Sequence, residues 1–204
     1  FSLRIKKTEV GMPVDIVKRL ASNGDDSVEL RLIIQNAAVL KGKRISGMLF
    51  LNDKELAIIS EKLRKTSISL MILCTCKKRH LVLIYRAKEL EEYLKRSEVS
   101  DYLREFGYRR DDFISNLIRL HQRMNGFYNK IKGFPHEVGV FLGYPICDIK
   151  GFLENKGERY LHSGYWKIYG NLEETREKFL SYDEAREIAI DEFLAGNRLE
   201  NIAC

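Results

Sequence analysis

The chain has 204 residues, a mass of 23.8 kDa and a formal net charge of +6 at pH 7. Hydrophobic residues make up 45% and charged residues 31%, which is typical of a globular domain and excludes a disordered chain. The longest apolar runs, 68–76 and 81–85, are shorter than the roughly 20 residues that a membrane-spanning helix requires. We therefore expect a single domain over residues 1–204, with 1–27 as a peripheral N-terminal extension and no membrane partner.

The cysteines favour reduced thiols and a cytoplasmic location. They are too few and too irregularly spaced for a disulfide framework, and the histidines are too scattered to complete a zinc site with them. We expect no bound metal. The four cysteines are Cys74, Cys76, Cys147 and Cys204.

The first half of the chain contains three predicted helices and a hairpin. Pro13 and the Ser22–Gly24 segment mark the two ends of a short first helix. Apolar positions recur at helical spacing over 28–40. Asn52 with Glu55 forms a capping-box pattern that opens a helix through about residue 64.

The period then changes from helical to extended. Two apolar runs, 68–74 and 81–85, are joined by a basic link, as in a β-hairpin that is buried on both faces. Helical patterning resumes in the remaining part of the chain, with one strand near its end. The predicted elements are helices over 88–106 with a break near Ser97, over 111–128, on both sides of 143–145 and after Asn171, and a strand over 165–169.

The predicted fold class is therefore α+β. We expect one small mixed or antiparallel sheet centred on the 68–85 hairpin, which includes the 165–169 strand and is covered by several helices.

Unusual residues are densest over 134–155. Prolines at both helix starts and Gly143 at the turn predict a helix-turn-helix over 135–155. The spacing is similar to that of DNA-reading motifs, but Lys150 would be the one good base-reading side chain, and Asp148 would repel phosphate. The same pattern also fits a plain helical corner.

His136 and Glu137 are the candidate catalytic residues. An imidazole and a carboxylate at a helix start can transfer a proton, although neighbouring helical residues point about 100° apart. Local packing of His136, with Glu137 at the positive end of the helix, is the alternative interpretation.

A second group of residues suits a small-molecule ligand. Apolar walls with a few polar groups at element ends are where ligand pockets form, and aromatic residues beside lysine can hold an anion. The candidate ligand-binding residues are Tyr144, Asp148, Lys150, Trp166, Lys167 and Tyr169.

A basic stretch of the chain could contact nucleic acid. The sequence pI of about 9.1 permits an anionic partner, and most charge runs are simply solvated. The candidate nucleic-acid contacts are Arg119, Arg123, Lys130, Lys132 and Lys150.

Five segments resemble a bacterial family catalogued as domain of unknown function 3793, which is found largely in anaerobes. They are 38–50, the hairpin end at 83–86, Phe134-Pro135-His136-Glu137-Val138-Gly139 through 143–145, 148–152, and Gly164-Tyr165-Trp166-Lys167-Ile168-Tyr169. The resemblance implies one domain in a bacterial cytoplasm and assigns no activity, ligand or cofactor.

Three functions follow from these patterns. The first is a small-ligand binding or accessory protein, with its pocket where the 136–150 corner meets the Trp166 strand. The second is nucleic-acid binding through the helix-turn-helix, and the third is an enzyme that uses His136 as acid or base. The cofactor and the oligomeric state are left undetermined.

Overall fold

The computed structural model describes residues 25–203, so the helix predicted around residues 13–24 lies outside the described residues. The described elements are α1 (Asp25–Leu40), β1 (Ser46–Leu51), α2 (Asp53–Leu63), β2 (Ile68–Cys76), β3 (Arg79–Arg86), α3 (Ala87–Leu94), α4 (Ser97–Arg104), α5 (Phe113–Tyr128), α6 (Val138–Phe141), α7 (Ile146–Glu154), β4 (His162–Ser163), β5 (Lys167–Ile168), α8 (Leu172–Leu194) and α9 (Leu199–Ile202). The fold is α+β, as expected.

The predicted hairpin is the centre of a three-stranded antiparallel sheet with the order β1-β3-β2. The register between β2 and β3 shifts at a bulge between Ile72 and Cys74. The edge strand β1 was not predicted as a strand, because Gly47 and the short apolar run after it carry a weak extended signal.

The prediction that the 165–169 segment belongs to this sheet was wrong. That segment contributes β5, which pairs with β4 in a separate two-stranded ribbon. Trp166 and Ile168 are buried against Phe179 and Tyr182 of α8, so the apolar face of the segment is covered by a helix and not by a neighbouring strand. The alternation along the segment was predicted, but its partner was not.

Helices cover both faces of the three-stranded sheet. On β3, Val82 and Ile84 face a core built mainly from α1, α2, α8 and α9, while Leu81, Leu83 and Tyr85 face a core built from α3 to α7. Burial on both faces explains the continuous apolar run of this strand. The predicted break near Ser97 is confirmed, since α3 ends at Leu94 and α4 begins at Ser97.

Side-chain hydrogen bonds, both local and long-range, satisfy backbone groups at the ends of helices. The Asn52 side chain accepts from Glu55 N, and the Glu55 side chain accepts from Asn52 N, which confirms the capping box. At the end of α1, buried Arg86 donates to the carbonyls of Val39 and Leu40 at 2.8 and 2.7 Å. These bonds satisfy carbonyls that the helix leaves without an internal partner.

Candidate functional site

The predicted helical corner is present, and its first helix is short. Helix α6 spans four residues, Val138–Phe141, and α7 spans nine, Ile146–Glu154. Gly143 between them has a φ of +74°, a left-handed conformation that favours glycine. The sequence therefore located the turn correctly.

The face of α7 that would read DNA is covered in part by the segment after β5. Gly151 is buried against the Tyr169 side chain so closely that a Cβ at Gly151 would overlap it. A Cβ at Gly170 would likewise overlap the Cys147 sulfur. Cys147 and Lys150 of this face are exposed, and Pro145 and Ile146 are half-buried. The arrangement fits a helical corner that packs on its own domain.

Asp148 holds the 166–170 segment in place. Its carboxylate is 2% exposed and accepts from Trp166 Nε1 at 2.7 Å, Tyr169 N at 2.7 Å and Gly170 N at 2.8 Å. Three donors replace the water that this buried anion has lost. Asp148 and Trp166, both predicted to bind a ligand, therefore bind each other.

An aromatic stack closes the junction between the corner and this segment. The rings of Tyr144 and Trp166 stack with centroids 4.7 Å apart. The Arg44 guanidinium lies 5.5 Å from the centroid of Tyr144 and 5.9 Å from that of Tyr182. Side chains therefore fill the contact between Tyr144 and Trp166, whereas Arg44 and Tyr182 also line the smaller of the two cavities described below.

The remaining predicted ligand-binding residues contact neighbours within the domain. Lys150 Nζ lies 5.6 Å from the centre of the Tyr102 ring. Lys167 donates to the carbonyl of Gly157 and lies 4.5 Å from the centre of the Tyr160 ring. The Tyr169 hydroxyl is buried without a hydrogen-bond partner among the described residues.

Glu137 is the centre of a buried polar cluster. Its side chain is fully buried, and Oε1 accepts from Arg123 Nε and from the Tyr108 hydroxyl, the latter at 3.2 Å. Burial and then the Glu137 charge raise the pKa of Tyr108, so this phenol stays protonated as a donor. Burial and then Glu137 also raise the pKa of Tyr102 to about 12. The cluster ties α5 and the turn after α4 to the start of α6.

His136 lies apart from this cluster, between aromatic rings. Its ring centre is 5.1 Å from that of Phe134 and 5.7 Å from that of Phe152. Burial lowers the pKa of His136, and the Glu137 charge opposes this shift. The carboxylates of Glu137 and Asp148 are each hydrogen-bonded to other groups, as described above.

An open groove of about 270 Å³ lies beside the Glu137 cluster. It is lined by Gly107, Arg109, Ser115, Asn116, Ile118, Arg119 and Gln122. Arg119 Nε donates to the Phe106 carbonyl at 2.6 Å, and its guanidinium lies 5.7 Å from the centre of the Tyr108 ring. The groove therefore touches the Glu137 cluster through Tyr108. Apart from Arg119, its residues were not among the predicted site residues, because the 107–109 turn and α5 meet only in the folded chain.

The other predicted nucleic-acid contacts are distributed along α5 and beyond it. Arg123 is tied to Glu137, whereas Lys130 and Lys132 are exposed past the end of the helix at Tyr128. Lys150 lies on a different helix, α7, and is exposed.

The described cysteines are free thiols: Cys74, Cys76 and Cys147. Burial and then the neighbouring Cys76 raise the pKa of Cys74 to about 12, which makes it a poor nucleophile. Within residues 25–203, no three His, Cys, Asp or Glu side chains are grouped so that they could hold a metal ion.

None of the helices described over 25–203 has the length and apolar character needed to cross a bilayer. Comparison with curated proteins and comparison with solved structures both give no match. A family model described as "Protein of unknown function (DUF3793)" matches residues 32–203, which is most of the chain and includes the corner, the Glu137 cluster and the groove. The chain therefore belongs to the DUF3793 family, whose function is not known.

Proposed function

We propose that this protein is a small-ligand binding protein of the bacterial cytoplasm, and that the α5 groove binds a small anion such as a carboxylate or a phosphate ester. The observation that carries the proposal is the pair of arginines, Arg109 and Arg119, in a groove of about 270 Å³. Guanidinium groups match the geometry of carboxylate and phosphate. The volume is close to the lower end of small-molecule sites.

The rim of the groove is rigid. The Asn116 side chain is buried, accepts from Arg109 N at 2.8 Å and donates to the Arg109 carbonyl. Asn116 thereby fixes the backbone that carries the Arg109 guanidinium, which is exposed and makes no ion pair within the described part of the chain. A rigid backbone lowers the entropy that binding would cost.

The opposite wall is also anchored. The Arg119 guanidinium contacts the Phe106 carbonyl and the Tyr108 ring, and glycine at 107 leaves room for it, since a Cβ there would lie 2.5 Å from Arg119 Nη2. Ile118 adds an apolar surface that is 48% exposed. An anion with a short apolar part fits this combination of two cations, amide groups and an aliphatic side chain.

The cellular location is part of the proposal. Free thiols in the described part of the chain suit a reducing compartment, and the family resemblance implies a bacterial cytoplasm.

Isothermal titration calorimetry with inorganic phosphate, AMP and citrate would test the proposal, after native mass spectrometry of protein purified from its own host has identified any retained ligand. We expect Arg109→Gln to weaken the binding anion about tenfold, because a charge-assisted hydrogen bond contributes roughly 1.5 kcal/mol. Arg110→Gln is the matched control, since Arg110 Nε donates to the Lys95 carbonyl and does not line the groove.

An equal loss of anion affinity in Arg109→Gln and Arg110→Gln would contradict the proposal, since it would show that the anion is attracted by the general positive charge of the surface. A single-stranded oligonucleotide, titrated at several salt concentrations, tests the nucleic-acid alternative. Binding that falls steeply with salt and depends equally on Arg109, Arg110 and Lys130 would favour nucleic acid over a small ligand.

A further inference from the structure

Helix α1 is interrupted one turn before its end. Asn36 has φ −133° and ψ 17°, which are not helical values, so residues 25–40 consist of two helical segments that meet at a kink. The side chain of Asn36 packs toward Gly47 of β1, where a Cβ would overlap Asn36 Oδ1. The amide of Asn36 is thus held between α1 and the sheet, independently of the α5 groove.

The amide nitrogen of Asn36 is an unsatisfied donor. Asn36 is 3% exposed, and its Nδ2 is buried without a hydrogen-bond partner among the described residues. A buried donor left in this state costs roughly 1–3 kcal/mol, so native structures rarely keep one without a partner. An acceptor is therefore expected next to Asn36.

A small cavity lies at this position. Its volume is about 10 Å³, which accommodates one water-sized atom. The lining residues come from α1, from the loop after it, from the aromatic segment before β5, and from α8: Ile34, Gln35, Asn36, Ala37, Ala38, Val39, Arg44, Tyr165, Tyr182 and Arg186. Two guanidinium groups and no carboxylate line the cavity.

The charges around the cavity leave one cation in excess. Arg186 pairs with Asp183 at 2.8 Å, and Asp183 also accepts from the Tyr165 hydroxyl at 2.9 Å. Arg44 makes no ion pair within the described part of the chain; its Nε donates to the Leu142 carbonyl at 3.3 Å. Its charge opposes the rise that burial causes in the pKa of Tyr165 and of Tyr182.

We propose that the break in α1 is a binding site for a small anion, in which Asn36 Nδ2 donates to one anionic atom and Arg44 and Arg186 balance its charge. A halide, or one oxygen of a small carboxylate, has the acceptor character and the size that the cavity requires. A water molecule would satisfy Asn36 as a neutral acceptor; the anion is favoured because two arginines and no carboxylate residue line the cavity. Segments from both ends of the chain meet at this anion, so it would also stabilise the fold.

Thermal unfolding of the full chain in sodium bromide and in sodium formate, each compared with sodium gluconate at the same ionic strength, would test the site. Gluconate is too large for the cavity and controls for screening. We expect bromide, formate or both to raise the unfolding temperature above the gluconate value. A shift with bromide alone would assign a halide site, and a shift with formate would assign a carboxylate oxygen.

Substitutions connect the shift to the cavity. Asn36→Asp replaces the donor with an acceptor, and Arg186→Gln removes a lining cation. We expect each substitution to raise the anion concentration needed for a given increase in unfolding temperature at least about tenfold. Arg176→Gln, an exposed position on the same helix, should retain it. Arg186→Gln keeps the test decisive if Asn36→Asp does not fold. The absence of a shift above gluconate, or an equal shift in Arg186→Gln and Arg176→Gln, would overturn the proposal. So would a water in place of bromide in an anomalous diffraction map of crystals grown in bromide.

Discussion

Replacing Asp148 with asparagine should destabilise the fold by removing one of three buried hydrogen bonds. The asparagine Oδ1 can keep the bonds from Tyr169 N and Gly170 N, which lie 2.7 and 2.8 Å from the carboxylate oxygen. Its amino group then faces Trp166 Nε1, itself a donor at 2.7 Å from the other oxygen. Two donors oppose each other in a buried site, and the negative charge that strengthened all three bonds is lost.

The expected cost is about 2–4 kcal/mol of unfolding free energy, since a hydrogen bond to a charged group contributes about 1.5–3 kcal/mol and the unpaired donors add to the loss. For a chain of this size, about 3 kcal/mol corresponds to a decrease of roughly 6–12 °C in the unfolding temperature. Urea unfolding followed by fluorescence is the assay, because Trp166 is the one tryptophan of the chain and contacts the altered side chain.

Asp191→Asn is the matched control, because Asp191 is exposed on α8 and its carboxylate has no hydrogen bond or ion pair within the described residues. If the unfolding free energy of the Asp148→Asn variant lies within about 0.5 kcal/mol of that of the parent chain and the Trp166 emission is unchanged, Asp148 is not the anchor of the 166–170 segment.

Three further predictions concern the other buried polar groups. Because burial lowers the pKa of His136, the folded state binds its proton less readily than the unfolded chain, so stability should fall as pH drops below about 6.5; His136→Phe should reduce this slope between pH 7 and 5 in thermal denaturation. Arg123→Gln should destabilise the chain by about 2–3 kcal/mol in urea, because it leaves the fully buried Glu137 without its cation, and a loss below about 0.5 kcal/mol would contradict this role. Gly47→Ala should lower the unfolding temperature by several degrees, since the new methyl group overlaps the buried Asn36 side chain; an unchanged temperature would show that Asn36 can move aside.

Much of the local structure follows from short-range signals in the sequence. The Asn52–Glu55 capping box lies within three residues, and the break near Ser97 was visible as an interruption of helical spacing. The continuous apolar run of the hairpin predicted burial on both faces, which the helices on each side of the sheet provide. These features depend on neighbours along the chain, so composition and periodicity determined them.

The candidate site depended on contacts that periodicity does not encode. The sequence marked Asp148, Trp166 and Glu137 as unusual, but their hydrogen bonds join residues 18 and 14 positions apart. Whether a buried carboxylate binds a ligand or anchors its own domain depends on which donors the chain brings to it. The groove was missed for the same reason, because Arg109 and Arg119 carry no shared motif.

The sequence by itself determined the fold class, the position of most helices, the central hairpin, the turn at Gly143 and the family to which the chain belongs. Tertiary structure alone decided that the 165–169 segment packs on α8 outside the main sheet, and that the corner closes on Trp166. It also decided that the open groove lies at α5 and the small cavity at the break in α1. The physical reason is that helix caps and apolar periods act over a few residues, whereas the pairing of buried polar groups is set by the path of the whole chain.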